Sequence, residues 1–363
     1  MGTASIGNRR NIEQPLKSEQ TPMRRVMVFG LFALAAALPQ QASAQAAVAD
    51  FYRGRSVNLI VGYSAGGGYD TYSRILARHL GKHIPGNPSI VVQNMPGAGS
   101  LKFANYLYNV APKDGTTIGI FSRGMAMEPL IGASNTQFDA TKFTWLGSGT
   151  NEVSVFVTWH TSPIKTWNDV VTKPFTVGGE GSGSDPDIYA LLLKNAFGAK
   201  LKLITGYPGT AEVAIALERG EVDSRASWSW SSLKTLKPDW IAQKKVNFPV
   251  QLNLTKGAEL QDVPLIMEFA KTEGQRQMLK LILSRQQMAR PYAAPPGIPE
   301  DRKAALRKAF DDAWADPELQ AEMKARGQEV NPVSGAALER MVGELYATPK
   351  DVVAETRKAI AGQ

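Results

Sequence analysis

Two glycine-rich segments carry the residues of this sequence best suited to binding chemistry. Residues 66–76 read GGGYDTYSRIL, and residues 181–193 read GSGSDPDIYALLL. In each segment the glycines are followed by Asp-x-Tyr and an apolar periodicity that predicts a helix. The first N–H groups of a helix are unpaired, and glycine lets an anion come close to them. The repeated segment therefore predicts two sets of amides, facing one anionic ligand.

The same pattern has a purely structural explanation. Glycines also form tight turns with positive φ, and Asp70 and Asp187 could simply cap the helices that follow. We expect capping from these two acids, because a carboxylate is a poor contact for an anion. Ser182, Ser184 and Thr210 could donate hydroxyl groups to a ligand or cap helices.

Two arginines are candidates for binding a carboxylate. Arg123 directly follows a predicted strand, within the segment Ser122-Arg123-Gly124-Met125, and Arg225 lies in the segment SRASWSW. A guanidinium can donate two parallel hydrogen bonds to a carboxylate. The alternative for each is an ordinary solvated surface arginine.

Aromatic residues near these positions could form a wall of the same site. Trp228 and Trp230 would share one face of a strand, and Tyr207 follows the strand predicted at residues 201–205. The tryptophans would suit an aromatic or apolar acid, whereas packing in the core is the competing explanation. The hydroxyl of Tyr207 could point into a cleft, or its ring could belong to the core.

Catalytic and metal-binding patterns are weak in this sequence. There is no cysteine among the 363 residues, which excludes thiol catalysis and cysteine-ligated metals. His79 and His83 have the i, i+4 spacing of a zinc pair, but Gly81 and Pro85 interrupt the helix there. Neither Gly-x-Ser-x-Gly nor a phosphate-binding G-x-x-x-x-G-K-[ST] pattern occurs. We therefore predict no enzyme, no metal and no cofactor.

Strands and helices alternate along most of the chain. Apolar runs at residues 56–63, 89–93 and 116–121 predict strands, each followed by a loop with glycine or serine. Strand–loop–helix repeats of this kind form parallel sheets, whose ligands bind at the carboxyl ends of the strands. Residues 143–159 and 246–254 predict segments that cross between two lobes.

The composition and the N-terminus indicate an exported globular protein. The net charge is +8, and no cluster of basic and aromatic residues suggests nucleic-acid binding. Arg24-Arg25, the apolar run 26–38 and the sequence Ala42-Ser43-Ala44 have the organisation of a cleavable signal peptide. We predict cleavage after Ala44 and export to the periplasm. Met23 directly precedes Arg24-Arg25, so the first 22 residues are either an over-called translation start or an unusually long n-region of the signal peptide.

The loops, taken in order, resemble those of the periplasmic solute-binding receptors of tripartite tricarboxylate transporters. The matching segments are residues 65–70, 94–99, 111–115, 181–184, 207–209, 220–223 and 262–264. The resemblance covers nearly the whole mature chain. Three departures affect the expected substrate: Ser64-Ala65 replaces a proline pair, Asp187 replaces a histidine, and residues 224–230 are aromatic and basic.

The resemblance implies a two-lobed α/β periplasmic binding protein fold of type II, with a mostly parallel sheet and flanking helices in each lobe. The lobes would be joined by crossing hinge strands. Lobe 1 would comprise residues 50–146 and 253–363, and lobe 2 residues 147–252. A monomeric receptor of this kind would close around a di- or tricarboxylate or an aromatic carboxylate and deliver it to a two-component membrane permease. An exported α/β enzyme acting on an organic acid, or a sensing subunit for a membrane kinase, are the alternatives.

Motif positions and strand ends together define the expected ligand site. Its residues are Ser64, Ala65, Gly66, Gly67, Gly68, Tyr69, Arg123, Gly124, Met125, Gly181, Ser182, Gly183, Ser184, Tyr207, Arg225 and Trp228.

Overall fold

The chain folds into two β-sheets flanked by helices. The computed structural model describes residues 45–132 and 135–361, so the predicted signal peptide lies outside the described residues. The strands are β1 (Ser56–Val61), β2 (Ser89–Asn94), β3 (Thr117–Ile120), β4 (Thr144–Ser148), β5 (Ser154–Trp159), β6 (Phe175–Gly178), β7 (Leu201–Ile204), β8 (Ser224–Ser229), β9 (Val246–Asn247), β10 (Gln251–Leu252), β11 (Pro291–Ala294) and β12 (Val333–Ser334).

Helices cover both sheets and make up most of the C-terminal region. They are α1 (45–52), α2 (Gly68–Leu80), α3 (Leu101–Asn109), α4 (Glu128–Ile131), α5 (Trp167–Thr172), α6 (Asp185–Phe197), α7 (Thr210–Glu218), α8 (Trp230–Leu236), α9 (Pro238–Ala242), α10 (Glu273–Leu283), α11 (Glu300–Ala315), α12 (Pro317–Ala325), α13 (Gly335–Tyr346) and α14 (Lys350–Ile360). Within the described ranges, no helix has the length and apolar character needed to cross a bilayer.

The first sheet has the strand order β12-β4-β11-β3-β1-β2. β1 lies parallel to β2 and β3, as expected for βαβ units, and Leu59 pairs with Val92 on one side and Ile118 on the other. β11 runs antiparallel to β3 and β4, which brings a segment from the C-terminal half into the middle of the sheet. Residues just before β11 therefore lie at the same edge as residues just after β3.

The second sheet has the order β10-β5-β8-β6-β7, and β9 also pairs with β5. β6 is parallel to β7 and β8, whereas β5 is antiparallel to β8, β9 and β10. Both sheets are thus mixed, with antiparallel pairs where the chain crosses between the sheets. The two-sheet α/β architecture predicted from the sequence is confirmed.

Two segments connect the sheets. The long β-rich run at 143–159 divides into β4 in the first sheet and β5 in the second, with the crossing at residues 149–153. The predicted return segment, residues 246–254, forms the two short strands β9 and β10 on either side of Pro249, and both pair with β5 in the second sheet. Proline cannot donate a ladder hydrogen bond, which accounts for the break. The prediction that this segment crosses to the first sheet is therefore wrong, and the chain returns between β10 and β11.

The C-terminal helices pack against elements of both sheets. α11 and α12 contact α2 and α13 contacts β4, all on the first sheet, while α14 contacts α6 and α10. One cluster of buried side chains includes Phe121 and Trp145 of the first sheet region, Phe156 and Leu192 of the second, and Ile360 of α14. The two sheets therefore share part of their apolar core, in addition to the loops that meet at their edges.

Candidate functional site

A narrow cavity lies where the strand ends of the two sheets face each other. The space free of atoms, including the opening to solvent, is about 390 Å³. The part that can hold the centre of a water molecule is only about 30 Å³, which is room for roughly two waters. The cavity is lined by Tyr63, Gly68, Tyr69, Ser122, Arg123, Glu180, Asp185, Pro186, Thr210, Arg225, Ser227, Trp228, Ser229, Ser232 and Arg290. Its position at the carboxyl ends of parallel strands is where ligands of α/β sheets bind.

Arg123 connects the two sheets through a buried ion pair. It lies immediately after β3, and its Nε donates to Asp185 Oδ2 at the start of α6, while its Nη2 donates to Ser154 Oγ over 2.9 Å. Asp185 also accepts from Arg285 Nη1 at 3.3 Å. Burial raises the pKa of Asp185, but the two guanidinium groups outweigh it and hold that pKa below its usual value. Asp185 is therefore a carboxylate shared by two arginines.

Arg225 is held within the second sheet region by a different carboxylate. It lies in β8, and its Nη2 donates to Glu180 Oε1 at 2.5 Å and to Thr210 Oγ1 at 3.2 Å. Its guanidinium carbon lies 5.4 Å from the ring centroid of Trp228, within range of a cation–π interaction. Both arginine and tryptophan are buried, so these contacts are shielded from bulk water.

Arg290 is a third cavity arginine, and we did not predict it from the sequence. Its Nη2 donates to Ser232 Oγ at 2.8 Å and lies 3.7 Å from Oε2 of the buried Glu152, and its Nη1 donates to Ser229 Oγ at 3.4 Å. The guanidinium carbon lies 4.9 Å from the ring centroid of Tyr69 and 4.8 Å from that of Tyr72. Its place directly before the strand β11 could have drawn attention to Arg290 as a strand-end residue. However, only antiparallel pairing of β11 with β3 places it beside Arg123.

Tyrosines complete the first-sheet wall of the cavity. The rings of Tyr63 and Tyr69 are stacked with centroids 4.9 Å apart, and Tyr69 Oη accepts a hydrogen bond from the backbone N–H of Arg123 at 3.1 Å. Burial raises the pKa of both hydroxyl groups. They are consequently neutral at physiological pH and can donate hydrogen bonds.

The chain's own aspartates occupy several amides of the glycine-rich segments. Asp70 Oδ2 accepts from the N–H of Gly66 at 2.9 Å, and Asp187 Oδ2 accepts from the N–H groups of Glu180 and Gly181. The N-caps of α2 and α6 are Gly67 and Ser184, so the expectation that the aspartates cap these helices is wrong. Each aspartate is the third residue of its helix and binds the preceding loop. The positively charged side chains that line the cavity are those of Arg123, Arg225 and Arg290.

The pKa values of these two aspartates shift in opposite directions, although burial raises both. The pKa of Asp70 is lowered, since Arg74, the Gly66 amide and Asn94 outweigh burial. The pKa of Asp187 is raised, because burial outweighs the hydrogen bonds from Thr205, Ser184 and the loop amides.

Glycines allow the loops of the two sheets to touch. A Cβ at Gly124 would lie 2.1 Å from the carbonyl oxygen of Gly183, and Gly183 itself has a φ of +77°. Ser122 Oγ donates to the same carbonyl at 3.1 Å, and Gly99 N donates to Glu180 O at 2.8 Å. At these positions glycine has no side chain to separate the loops, and two loops of the chain can therefore approach each other closely.

The structure brings five of the predicted site residues to the cavity. Those lining it are Gly68, Tyr69, Arg123, Arg225 and Trp228. Trp230 does not share a strand face with Trp228, because it begins α8, where its indole N–H donates to Glu259. The prediction of a common tryptophan face is therefore wrong.

The other predicted residues lie around the cavity in loops and in the contact between the sheets. Ser64 Oγ donates to Glu212 at 2.8 Å, Ser182 Oγ to Glu128 at 2.9 Å and Ser184 Oγ to Asp187 at 2.7 Å. Tyr207 is partly buried against the apolar cluster of the second sheet. Ala65, Gly66, Gly67, Gly124, Met125, Gly181 and Gly183 do not line the cavity.

A known family matches most of this chain. The sequence model described as "Tripartite tricarboxylate transporter family receptor" matches residues 73–357. The chain belongs to this receptor family. A relative in Agrobacterium vitis, described as a UPF0065 protein, is 26% identical over 262 residues, covering 68% of this chain and 72% of the relative.

Solved structures of similar fold include several periplasmic binding proteins. The chain matches "periplasmic binding protein BugD" with a TM-score of 0.69 and 22% identity, covering 85% of this chain and 98% of that one. MatC from Rhodopseudomonas palustris, solved with bound malate, matches with a TM-score of 0.66 and 21% identity over 83% of this chain and 99% of that one. Rpa4515 from R. palustris, solved with adipate, matches with a TM-score of 0.65 and 19% identity over 84% and 97%. These likenesses establish the fold of the receptor family.

Proposed function

We propose that this receptor binds a small organic carboxylate in the cavity between its sheets and delivers it to a two-component membrane permease. The observation that carries the proposal is the convergence of three buried arginines on one cavity, Arg123 and Arg290 from the first sheet and Arg225 from the second. The malate and adipate bound by two proteins of similar fold support a carboxylate as the ligand.

The chemistry of the cavity suits binding without reaction. Hydrogen bonds to a charged group contribute about 1.5–3 kcal/mol each, so a few of them can supply the roughly −8 kcal/mol of micromolar affinity. In this structure the cavity has room for about two waters, so entry of a dicarboxylate would require its walls to separate and close again around the ligand. Such a motion is the hinge closure expected of a two-lobed receptor.

The two carboxylates that line the cavity, Glu180 and Asp185, are ion-paired with Arg225 and Arg123, which does not favour either of them as the base of the alternative enzyme function. His79 and His83 contact acids of α12, and His160 lies beside Trp159; none of these three described histidines lines the cavity. We therefore place the protein among receptors and propose that it acts as a monomer in the periplasm. Its export would follow from the signal segment at residues 1–44.

A ligand screen tests the proposed function directly. The mature chain, starting at Gln45, is screened by thermal shift and then calorimetry against aliphatic dicarboxylates, hydroxydicarboxylates and aromatic carboxylates. A ligand at 100 times its Kd should stabilise the folded state by about 2.7 kcal/mol, which raises Tm by several degrees. The bound compound should be recovered unchanged by mass spectrometry. Chemical turnover, or a panel without any stabilising carboxylate, would contradict the receptor function.

A further inference from the structure

A buried glutamate lies directly behind one of the cavity arginines. Glu152 belongs to the segment that crosses between the sheets, and its side chain is only 1% exposed. Its Oε2 lies 3.7 Å from Nη2 of Arg290, whose side chain is equally buried. Arg290 lines the cavity and Glu152 does not. A ligand in the cavity would therefore contact the arginine without contacting the carboxylate that balances its charge.

The carboxylate of Glu152 is held in place by groups other than Arg290. Ser231 Oγ donates to Oε2, the backbone N–H of Val153 donates to Oε1 at 3.1 Å, and the backbone N–H of Ser231 donates to Oε1 at 3.4 Å. A glutamine has the same shape; its carbonyl oxygen can accept from the two N–H groups, and its amide can donate to the hydroxyl of Ser231. Glu152→Gln therefore removes a charge with little change in packing.

Arg290 is likewise held by contacts that do not involve Glu152. Its Nη2 donates to Ser232 Oγ at 2.8 Å and its Nη1 to the carbonyl oxygen of Ala289 at 3.2 Å. The rings of Tyr69 and Tyr72 lie within 5 Å of the guanidinium carbon. Because these contacts fix the arginine, the main effect of Glu152 on the cavity is electrostatic.

Every arginine that lines the cavity has a carboxylate partner. The pairs are Arg123 with Asp185, Arg225 with Glu180 and Arg290 with Glu152. A fourth buried guanidinium, that of Arg285, also contacts Asp185 at 3.3 Å. An anionic ligand would therefore enter a site whose positive charge is already largely balanced.

The ligand and Glu152 would be two anions beside one guanidinium. The Nε of Arg290 is buried and has no hydrogen-bond partner among the described residues, so a ligand oxygen is a suitable acceptor for it. Glu152 lies near Nη2 of the same group. At an effective dielectric constant of about 20, repulsion between two unit charges this close corresponds to about tenfold or more in the binding constant.

We infer that Glu152 is a built-in counterion of Arg290 that limits the affinity of the receptor for its anionic ligand. The inference rests on the proposed function. Glu152 stabilises the protein without ligand, because it balances a buried guanidinium, and it weakens the attraction of that guanidinium for a second anion. A receptor that passes its ligand to a permease must release it, and weaker binding arises mainly from faster dissociation.

The experiment measures the binding of malate, adipate and benzoate to the wild-type receptor and to Glu152→Gln by calorimetry at pH 7.5. The compound that binds the wild type should bind Glu152→Gln about tenfold tighter, mainly through slower dissociation in stopped-flow measurements. The melting temperature of Glu152→Gln without ligand should fall, since Arg290 loses its counterion. A merely structural role of Glu152 predicts a fall in both stability and affinity, which is the opposite result for affinity.

Two further variants separate charge from shape. Glu152→Asp keeps the charge and shortens the side chain, so it should lower the melting temperature without the gain in affinity. Glu300→Gln, at a glutamate with an 84% exposed side chain, is the matched control and should change neither quantity. An equal gain in affinity in Glu152→Asp would overturn the inference.

The remaining outcomes distinguish the inference from the proposed function. If Glu152→Gln does not fold without ligand, the compound that binds the wild type should restore folding at a concentration that saturates the wild type, and failure to do so would overturn the inference. Unchanged or weaker binding by folded Glu152→Gln would overturn the inference alone. Failure of all three compounds to bind the wild type would overturn both the inference and the proposed function.

Discussion

At the scale of single residues, the contact between the two sheets depends on glycines, which have no side chain, as much as on side-chain contacts. The Cα of Gly124 faces the carbonyl oxygen of Gly183. Arg285 Nη1 lies 2.8 Å from the position that a Cβ of residue 124 would take. Neither neighbour can move easily, since one is backbone and the other is tied to Asp185. A single methyl group at position 124 would therefore push the two walls of the cavity apart.

We predict that Gly124→Ala lowers both stability and ligand affinity. Overpacking of this kind costs about 1–3 kcal/mol in the free energy of unfolding, and we expect about a tenfold loss in carboxylate affinity. Urea denaturation and calorimetry measure the two effects. Gly343→Ala in α13 is the control, because a Cβ there meets nothing within 4 Å and alanine should raise helix stability slightly. Unchanged stability and affinity in Gly124→Ala would contradict the close contact between the loops.

At the scale of elements, helices distant in sequence are joined by ion pairs on the first sheet. α2 and the 3-10 turn after it face α12: Arg78 and His79 bind Glu322, while Lys82 and His83 bind Asp316. The histidines spaced four apart thus contact separate carboxylates. Hydrogen bonding from Arg78 is the main reason that the pKa of Glu322 falls to about 2 from its ordinary 4.5.

This shift predicts a defined pH dependence of stability. A carboxylate with a lowered pKa stabilises the folded state fully above its unfolded pKa, and the contribution is lost as pH falls from about 4.5 to about 2. In Glu322→Gln, the free energy of unfolding should fall less steeply across this pH window than in the wild type. Denaturation curves at several pH values test this, with Glu344→Gln, an exposed residue of α13, as the control. Parallel pH profiles for Glu322→Gln and the wild type would contradict the prediction.

At the scale of the whole molecule, an apolar core and a buried ion pair couple the two sheets. The shared cluster around Phe121, Trp145 and Phe156 lies away from the solvent, and we expect any hinge motion to pivot near it. On the cavity side the coupling is polar, through Asp185 between Arg123 and Arg285. If the walls of the cavity separate, these polar contacts of Asp185 must break.

We predict that Asp185→Asn favours separation of the two sheets. Removing one partner of a buried ion pair leaves uncompensated charges and costs about 3–5 kcal/mol. The free energy of unfolding should fall by that order, and the radius of gyration measured by X-ray scattering without ligand should increase. Asp312→Asn, which affects an exposed pair with Lys308, is the control. A radius and stability equal to those of the wild type would show that this carboxylate does not hold the sheets together.

Local patterns in the sequence were enough to predict several strands and part of the site, while the two-lobed fold followed from the family resemblance. Apolar runs and glycine loops predict strands and turns because both depend on neighbouring residues, and β1, β2, β3 and β7 form where these patterns occur. Arg123 was found in the same way, since it directly follows a predicted strand, whereas the family resemblance placed the segment of Arg225 near the cleft.

Only the tertiary structure decided which groups meet. Arg285 and Asp185 are 100 residues apart, and Arg290 meets Ser232 across 58 residues, so no local pattern could pair them. The structure also decided that loop amides bind the chain's own Asp70 and Asp187 and leave arginine side chains to face the cavity. The sequence by itself determined the elements and their order, because these follow from short-range preferences. The choice of ligand-binding groups followed from long-range packing, which brings together charges whose positions in the sequence are independent.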